Sequence, residues 1–313
     1  MIRHIGIAGA GAVGCSLGSK LYEKYGDDFC FIAYGERAER LKKNGVIVNN
    51  KKIMPNVYSD YDGKGLDLII LCIKNYSLEK VLQDIAPAVT PSTIILPLLN
   101  GISAVDTVRK AYPNNAVPYG IVMRTDANRI QQNVTVSVRG EVQIGFAKDE
   151  ELPDFIYEVR DIFVAAGIDS NVYHNMRYML WRKWMINIGS NQVSVLTGAK
   201  FKYFGAFEEI IILVRDAIRE IVEVSYKLNI GLTEKDIDDI VQILINYPPE
   251  KKTSMLQDIE ARRQTEIDCF AGTVIKLGQE YGVPTPVNRI LYYAIKAKEK
   301  VGIAELEEVS CTE

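Results

Sequence analysis

Along the first half of the chain, short apolar runs alternate with segments of helical period. HIGIAGA, FCFIA, LDLIILCI and TIILPLL are five to eight residues long and apolar almost throughout. Runs of that kind, bounded by turns and separated by amphipathic stretches, predict parallel strands covered by helices on both faces. A doubly wound sheet is the expected architecture. Between residues 116 and 145 the pattern changes. AVPYGIVMR, NVTVSV and EVQIGF alternate in the manner of antiparallel strands, and PDFIYEVRDIFVAAG then returns to a helical period. These strands are expected to extend the sheet and close the first domain.

Beyond about residue 175 the strand-like runs stop. Helical period covers 176–196, 206–228 and 233–246, a segment from near Ser254, another from near Thr265, and 287–300. The change predicts two domains, an α/β unit over residues 1–174 and an all-helical unit over residues 175–313.

The first C-terminal helix carries an unusual polar set. In WRKWMINIGSN, residues 181–191, Lys183, Asn187 and Asn191 stand four apart among apolar neighbours. Four residues advance an α-helix by about 400° and about 6 Å, so the three side chains form one slowly drifting stripe. Such a stripe commonly faces water. Asparagine is a poor helix former, however, and two at this spacing call for a reason. A wall of a polar site supplies one.

Composition narrows the partner. Hydrophobic residues make up 48% of the chain and charged ones 25%, the balance of a globular protein. Lys plus Arg (37) nearly cancel Asp plus Glu (40), so no net field draws nucleic acid or an anionic membrane, and a small-molecule partner is expected. Cys15, Cys30, Cys72, Cys269 and Cys311 are scattered without a CxxC and with no histidine at ligand spacing, which argues against a metal site or a disulfide scaffold. Free cysteines in apolar runs fit a reducing compartment, the cytoplasm. No apolar run approaches a membrane span, and the glycine-broken N-terminus lacks the pattern of a signal peptide. No long exposed apolar helix face stands out, which leaves a homodimer open. His4 and His174 have no partner pattern and read as structural, while Trp181 and Trp184 read as core.

GAGAVG, residues 9–14, places Gly9, Gly11 and Gly14 as GxGxxG, with Ala10, Ala12 and Val13 between them. Alone this spacing is weak, because glycines also mark plain turns. Here it follows the strand HIGIA and opens the helical stretch CSLGSKLYEKY, the context that makes it a dinucleotide fingerprint. Gly9 permits the turn, Gly11 lets the backbone approach a pyrophosphate, and Gly14 lets helix pack on strand. The helix N-terminus adds free N–H groups and the positive end of its dipole. A Rossmann-type dinucleotide-binding domain is therefore expected. The acid that holds a ribose 2′-hydroxyl in NAD sites would fall near the end of the second strand, where this chain has Tyr34. Arg37 and Arg40 follow and can pair with a 2′-phosphate, which tilts the expectation to NADPH without excluding NADH. Tyr34 either stacks on the adenine or is an ordinary exposed tyrosine.

With this loop at one end and Lys183, Asn187 and Asn191 at the other, the chain resembles the ketopantoate reductases (2-dehydropantoate 2-reductases). SMLQDIEARRQTEID, residues 254–268, is similar to that family's signature, and EYGVPTPVN follows as in the family. The resemblance covers essentially the whole chain. It implies NADPH-dependent reduction of 2-dehydropantoate to (R)-pantoate on the route to pantothenate. It implies Lys183 as proton donor to the carbonyl oxygen, and Asn187, Asn191 and Ser254 as holders of substrate. Glu266 would contact the substrate's far hydroxyl or the nicotinamide end of the cofactor. Lys74 in LCIKNYS and Asn100 in LLNG match cofactor-contacting positions after the third and fourth main strands. The chain departs from the family at Ala33-Tyr34-Gly35, where Ala-Arg-Gly is usual, so the phosphate-binding arginine is absent or displaced to Arg37. Leu-Leu precedes Asn100 where Gln-Asn-Gly is common.

The implied chemistry suits these residue types. Hydride addition to a ketone builds charge on oxygen, which a cationic proton donor lowers in energy. Ser254 and Glu266 in one straight helix would lie about 18 Å apart and about 120° out of phase, so a break must intervene. Ser254-Met255-Leu256-Gln257 and Thr265-Glu266-Ile267-Asp268 both read as capping boxes, which predicts two helix starts with Glu266 in a first turn, held ionised by the dipole. Ser254 is then an N-cap, a substrate contact, or both. Two other readings share the glycine loop. One is a related 2-keto acid reductase or D-2-hydroxy acid dehydrogenase acting on a ketoisovalerate-like substrate, with NADH. The other is a non-catalytic dinucleotide-sensing protein, which has no need of Lys183 and Glu266.

Overall fold

A computed structural model describes residues 2–58 and 65–310, the side chains of residue 303 and residues 305–310 excepted. Cys311 lies outside the described residues. The first part of the chain forms β1 (Ile5–Ala8), α1 (Ala12–Tyr25), β2 (Phe29–Ile32), α2 (Gly35–Asn44), β3 (Val46–Val48), β4 (Lys51–Ile53), β5 (Asn56–Tyr58), β6 (Leu68–Leu71), α3 (Leu78–Asp84), β7 (Ile94–Pro97) and α4 (Ala104–Ala111). Five of the strands make an all-parallel sheet in the order β5-β2-β1-β6-β7. β1, β2, β6 and β7 are buried along their whole length, as unbroken apolar runs require once helices cover both faces. The chain runs outward from β1 through β2 to β5, then returns to β6 on the other side. The carboxyl ends of β1 and β6 therefore flank the switch point where such sheets bind ligands.

Five more strands follow: β8 (Tyr119–Met123), β9 (Asp126–Ile130), β10 (Asn133–Val138), β11 (Glu141–Gly145) and, after α5 (Phe155–Ala165), β12 (Asp169–Tyr173). The antiparallel pairs β8–β11 and β9–β10 form as the alternation predicts. They do not extend the main sheet. β10 pairs in parallel with β3 in a sheet ordered β4-β3-β10-β9, and β11 pairs in parallel with β12 in a sheet ordered β12-β11-β8. An isolated parallel bridge, Ile94 to Ala116, pairs with the β7 edge, and β8 packs beside β7 at Gly120. The strands that divert β10 and β11 give no periodic signal, since β3 is three residues long and β12 reads DSNVY.

The second half comprises α6 (Met176–Asn187), α7 (Val193–Thr197), α8 (Glu208–Lys227), α9 (Glu234–Ile245), α10 (Ser254–Glu260), α11 (Ala271–Tyr281) and α12 (Pro286–Ser310). The chain divides into two compact units, Met1–Leu180 and Trp181–Glu313, the division falling within α6. Met176 and Leu180 are the cause: both are buried in the core of the first unit and carry the opening turns of α6 with them.

Residues 176–196 are not one α-helix. A π-helical turn, Ile188–Gln192, separates α6 from α7, with hydrogen bonds from i to i+5 that widen the coil. Side chains supply donors to the carbonyls that lead into it: Ser190 Oγ to Ile186 O (2.7 Å) and Asn191 Nδ2 to Asn187 O (3.0 Å). Gly189 lets α8 approach, since a Cβ there would sit 3.0 Å from both Ile218 and Val214. At the far end, α12 exposes Ile290, Tyr293, Ala297 and Val301 on one face, an apolar stripe contrary to the expectation of none. No helix among the described residues is long and apolar enough to cross a membrane.

Candidate active site

The glycine loop leaves β1 at Gly9, whose φ is 108°. A Cβ on Gly9 would meet the Cys72 carbonyl oxygen at 2.3 Å, and one on Gly14 would lie 1.9 Å from the Gly9 carbonyl oxygen. Neither position admits a side chain. Gly11, the N-cap of α1, is exposed, and its nearest neighbour would be Cys72 O at 4.0 Å. That open side is what close approach of a ligand to the backbone requires. No side chain caps α1, and its first turn has no acid, so its N–H groups and dipole stay uncompensated. Ala10 is buried, with its carbonyl accepting from Cys15 Sγ (3.2 Å), while Ala12 and Val13 are half-buried. Burial pushes the Cys15 thiol up to about 11 and the Cys72 thiol up to about 12, so both act as small hydrophobes under the loop.

Tyr34 follows β2 as the N-cap of α2 and packs half-buried against the core of the first unit. Glu36, Arg37 and Arg40 are exposed on the first turns of α2. Lys74 lies beyond β6 and Asn100 beyond β7, so neighbouring strands deliver both to the same edge of the sheet. Asn75 Nδ2 donates to the Asn100 carbonyl and ties these two loops together. Nothing in the sequence pattern marks Asn75 for this role.

In the second unit the polar ladder divides. Lys183 and Asn187 sit one turn apart at the end of α6, both half-buried, and among the described residues no hydrogen bond or ion pair holds Lys183 Nζ. Burial pulls its amine down to about 8, with the nearby Glu266 carboxylate acting in the opposite direction. Asn191, in the π turn, is buried and occupied: its Oδ1 accepts from Ser254 Oγ (3.1 Å) and from Met255 N (3.0 Å). Asn191 thus anchors the start of α10 and leaves one Nδ2 hydrogen unassigned, while Ser254 stays exposed beside it.

The break between Ser254 and Glu266 exists, but neither capping box forms as expected. α10 is capped by Thr253, whose Oγ1 accepts from Leu256 N (3.3 Å), and Gln257 turns back to the Lys252 carbonyl instead. Ser254 is then a first-turn residue free to donate to Asn191. At the second start, Glu266 precedes a short 3₁₀ turn, Ile267–Cys269, and α11 begins only at Ala271. Thr265 Oγ1 accepts from Ile267 N (3.2 Å), but Asp268 turns away to Tyr292 OH (2.8 Å) and Lys296 Nζ (3.1 Å) on α12. Glu299, also on α12, takes the Thr265 N–H in its place (2.7 Å). A carboxylate more than thirty residues away, with better reach, displaces the local one.

Trp184, next to Lys183, donates its indole N–H to the Cys269 carbonyl (2.9 Å) and so ties α6 to the turn that holds Glu266. Trp181 and Trp184 are both buried, in edge-to-face contact at 5.3 Å. His4 lies 3.5 Å from Asp28 in an exposed pair, and His174 is exposed. Among the described residues no group of three or more His, Cys, Asp or Glu side chains is placed to hold a metal ion.

Residues 5–149 match the family described as ketopantoate reductase PanE/ApbA, and residues 175–299 match its C-terminal domain. The chain is 27% identical over 305 residues to a 2-dehydropantoate 2-reductase of Streptococcus pyogenes serotype M6, an alignment covering 94% of this chain and 97% of that one. A solved structure from Enterococcus faecalis, named provisionally as a 2-dehydropantoate 2-reductase, is 32% identical with a TM-score of 0.71, over 96% of this chain and 99% of that one. A solved D-mandelate dehydrogenase with NADH and anilino(oxo)acetate is 27% identical with a TM-score of 0.85, over the same shares.

The last two glycines of the loop make a contrasting pair of variants. Gly14→Ala forces backbone atoms apart and is expected to cost about 1–3 kcal/mol in thermal unfolding, along with dinucleotide affinity. Gly11→Ala meets open space in the protein, so its unfolding free energy should stay within about 0.5 kcal/mol of wild type while dinucleotide affinity, read by nucleotide fluorescence, falls about tenfold. Unchanged affinity in Gly11→Ala would remove the loop from binding.

Proposed function

The chain belongs to the ketopantoate reductase family and is an NAD(P)H-dependent oxidoreductase of the 2-dehydropantoate 2-reductase type; from that premise we propose that it reduces 2-dehydropantoate to (R)-pantoate with NADPH, Lys183 donating the proton. The observation that carries the reading is the condition of Lys183: a partly desolvated amine with no bond of its own, one turn from Asn187 and within the field of Glu266.

A bound reduced nicotinamide would supply the hydride. The uncapped N-terminus of α1 would hold its pyrophosphate, and Arg37 would pair with a 2′-phosphate. Lys74 and Asn100 would contact the cofactor from the loops that Asn75 joins. As charge builds on the carbonyl oxygen, Lys183 gives up a proton, leaving a neutral amine that solvent reprotonates. An amine near 8 is largely protonated at neutral pH and releases its proton more readily than an ordinary lysine. The ammonium also attracts the substrate carboxylate. Asn187 donates and accepts at the substrate, Ser254 accepts through its hydroxyl lone pairs while its hydrogen is given to Asn191, and Asn191 acts through Ser254 and its last N–H. Glu266 accepts from the far hydroxyl or from the nicotinamide amide.

A second reading has its own support. Tyr34 stands where the family's phosphate-binding arginine is usual, and the similar D-mandelate dehydrogenase was solved with NADH. Both favour an NADH-dependent D-2-hydroxy acid dehydrogenase acting on another branched or bulky 2-keto acid.

Oxidation of NADPH and NADH, followed by nicotinamide absorbance with ketopantoate, ketoisovalerate or no keto acid, separates these readings. Ketopantoate with NADPH should be the best pair; turnover of ketoisovalerate without ketopantoate would end the pantoate assignment. Tight dinucleotide binding with no turnover would favour a sensor. Arg37→Ala should weaken NADPH about tenfold and leave NADH unchanged. Lys183→Ala should lose about 10²–10⁴-fold in kcat with cofactor affinity intact. The reduction needs the protonated amine, so kcat/KM should be flat below a pH of about 8 and decline above it, while the reverse oxidation rises through the same pH. A flat profile from pH 6 to 10 would exclude Lys183 as the acid.

A further inference from the structure

The π turn at Ile188–Gln192 carries a second set of buried polar groups, which run away from Lys183. Gln192 and Asn288 are fully buried, and Glu220 nearly so. The Glu220 carboxylate accepts from Val287 N (2.7 Å), Asn288 N (3.0 Å) and Asn288 Nδ2 (2.7 Å) at the start of α12. Asn288 Nδ2 also donates to the Ala217 carbonyl (2.8 Å), and Asn288 Oδ1 accepts from Gln192 Nε2 (3.1 Å). We propose that Glu220, Asn288 and Gln192 form a buried orienting chain that fixes the π turn, which makes Gln192 and Asn288 positioning residues for Lys183, Asn187 and Asn191.

Each link leaves the next one choice. A carboxylate and a backbone carbonyl accept only, so both hydrogens of the Asn288 amide must face them. Its oxygen is then turned to the π turn and demands a donor. Gln192 can answer only with its Nε2, so its amide orientation is dictated from α8 through α12. Adjacent residues of the turn are thus held from two directions, Gln192 by α12 and Asn191 by the start of α10. A single π turn is a rare and poorly favoured coil, and clamps on neighbouring residues are what keep it from relaxing to an α-helix. Such relaxation would rotate Asn191 away from Ser254 and change its angle to Asn187 and Lys183.

Among the described residues Gln192 Oε1 is buried without a hydrogen-bond partner, so the Gln192 side chain is held through its Nε2. This inference rests on the reading of the ladder as a keto-acid site, so the test includes measurements that need no turnover.

Gln192→Met keeps the length and removes both polar atoms. It should bind dinucleotide unchanged and melt somewhat below wild type, because the buried Asn288 Oδ1 loses the Gln192 Nε2 donor. Amide hydrogen exchange in residues 188–193 should accelerate at least tenfold, with α9 unaffected. The Lys183 ammonium, followed by ¹⁵N NMR, should titrate at higher pH than in wild type as water reaches it, while kcat/KM for the keto acid falls about tenfold. Asn288→Ala should give the same pattern with a lower melting temperature, and the double variant should lose no more kcat/KM than Asn288→Ala alone. Exchange and Lys183 titration both unchanged in Gln192→Met would overturn the proposal, as would a loss of melting temperature with no change in either. A wild type inactive on every 2-keto acid would sink the functional reading, and exchange and titration would still decide this one.

Discussion

A lysine amine held partly out of water, with the Glu266 carboxylate near it and, among the described residues, no hydrogen bond of its own, is the constraint around which the second unit is arranged. Lowering the charge preference of an ammonium requires removing solvent without supplying a full partner, a condition that neighbouring groups must maintain. Trp184 fills the adjacent helix position and ties α6 to the Cys269 carbonyl, so the turn bearing Glu266 stays at a fixed distance from Lys183. Glu299 holds the same turn from the other side through the Thr265 N–H. Asn191 consumes its own oxygen on the start of α10.

In the first unit the equivalent constraint is steric. A Cβ on Gly9 or Gly14 would fall well inside van der Waals distance of a backbone oxygen, whereas one on Gly11 would meet open space. The uncapped N-terminus of α1 lies beside that open position. Around it, Lys74 and Asn100 arrive at the same sheet edge because parallel strands end together, and Asn75 joins their loops.

The cofactor question turns on a small region. Tyr34 and Gly35 occupy the bend into α2, and Arg37 lies exposed one turn on. An exposed arginine still has its full charge and reach, so it suits a 2′-phosphate, but it lacks the preorganisation of an arginine at the bend itself. The similar D-mandelate dehydrogenase was solved with NADH.

Much of this was readable in the one-dimensional pattern. Unbroken apolar runs mark strands buried on both faces, and GxGxxG between strand and helix marks the phosphate loop, because both are encoded by neighbours within a few residues. The spacing of Lys183 and Asn187 is likewise a local helical fact, and so was the need for a break before Glu266. Local rules failed where a distant group offered a better bond. Thr253 rather than Ser254 caps α10, since Asn191 sixty-three residues away engages Ser254, and Asp268 leaves its capping box for α12. Met176 and Leu180 place the opening turns of α6 in the first core by burying there. The π turn has no sequence period of its own; it exists because Gln192 and Asn191 are bonded to segments ninety-six and sixty-three positions away. The sequence by itself thus determined which chemical groups are present and which backbone periods carry them. Only the tertiary structure decided which of those groups are consumed in holding one another and which remain for a substrate, because hydrogen-bond partners are chosen by proximity in space.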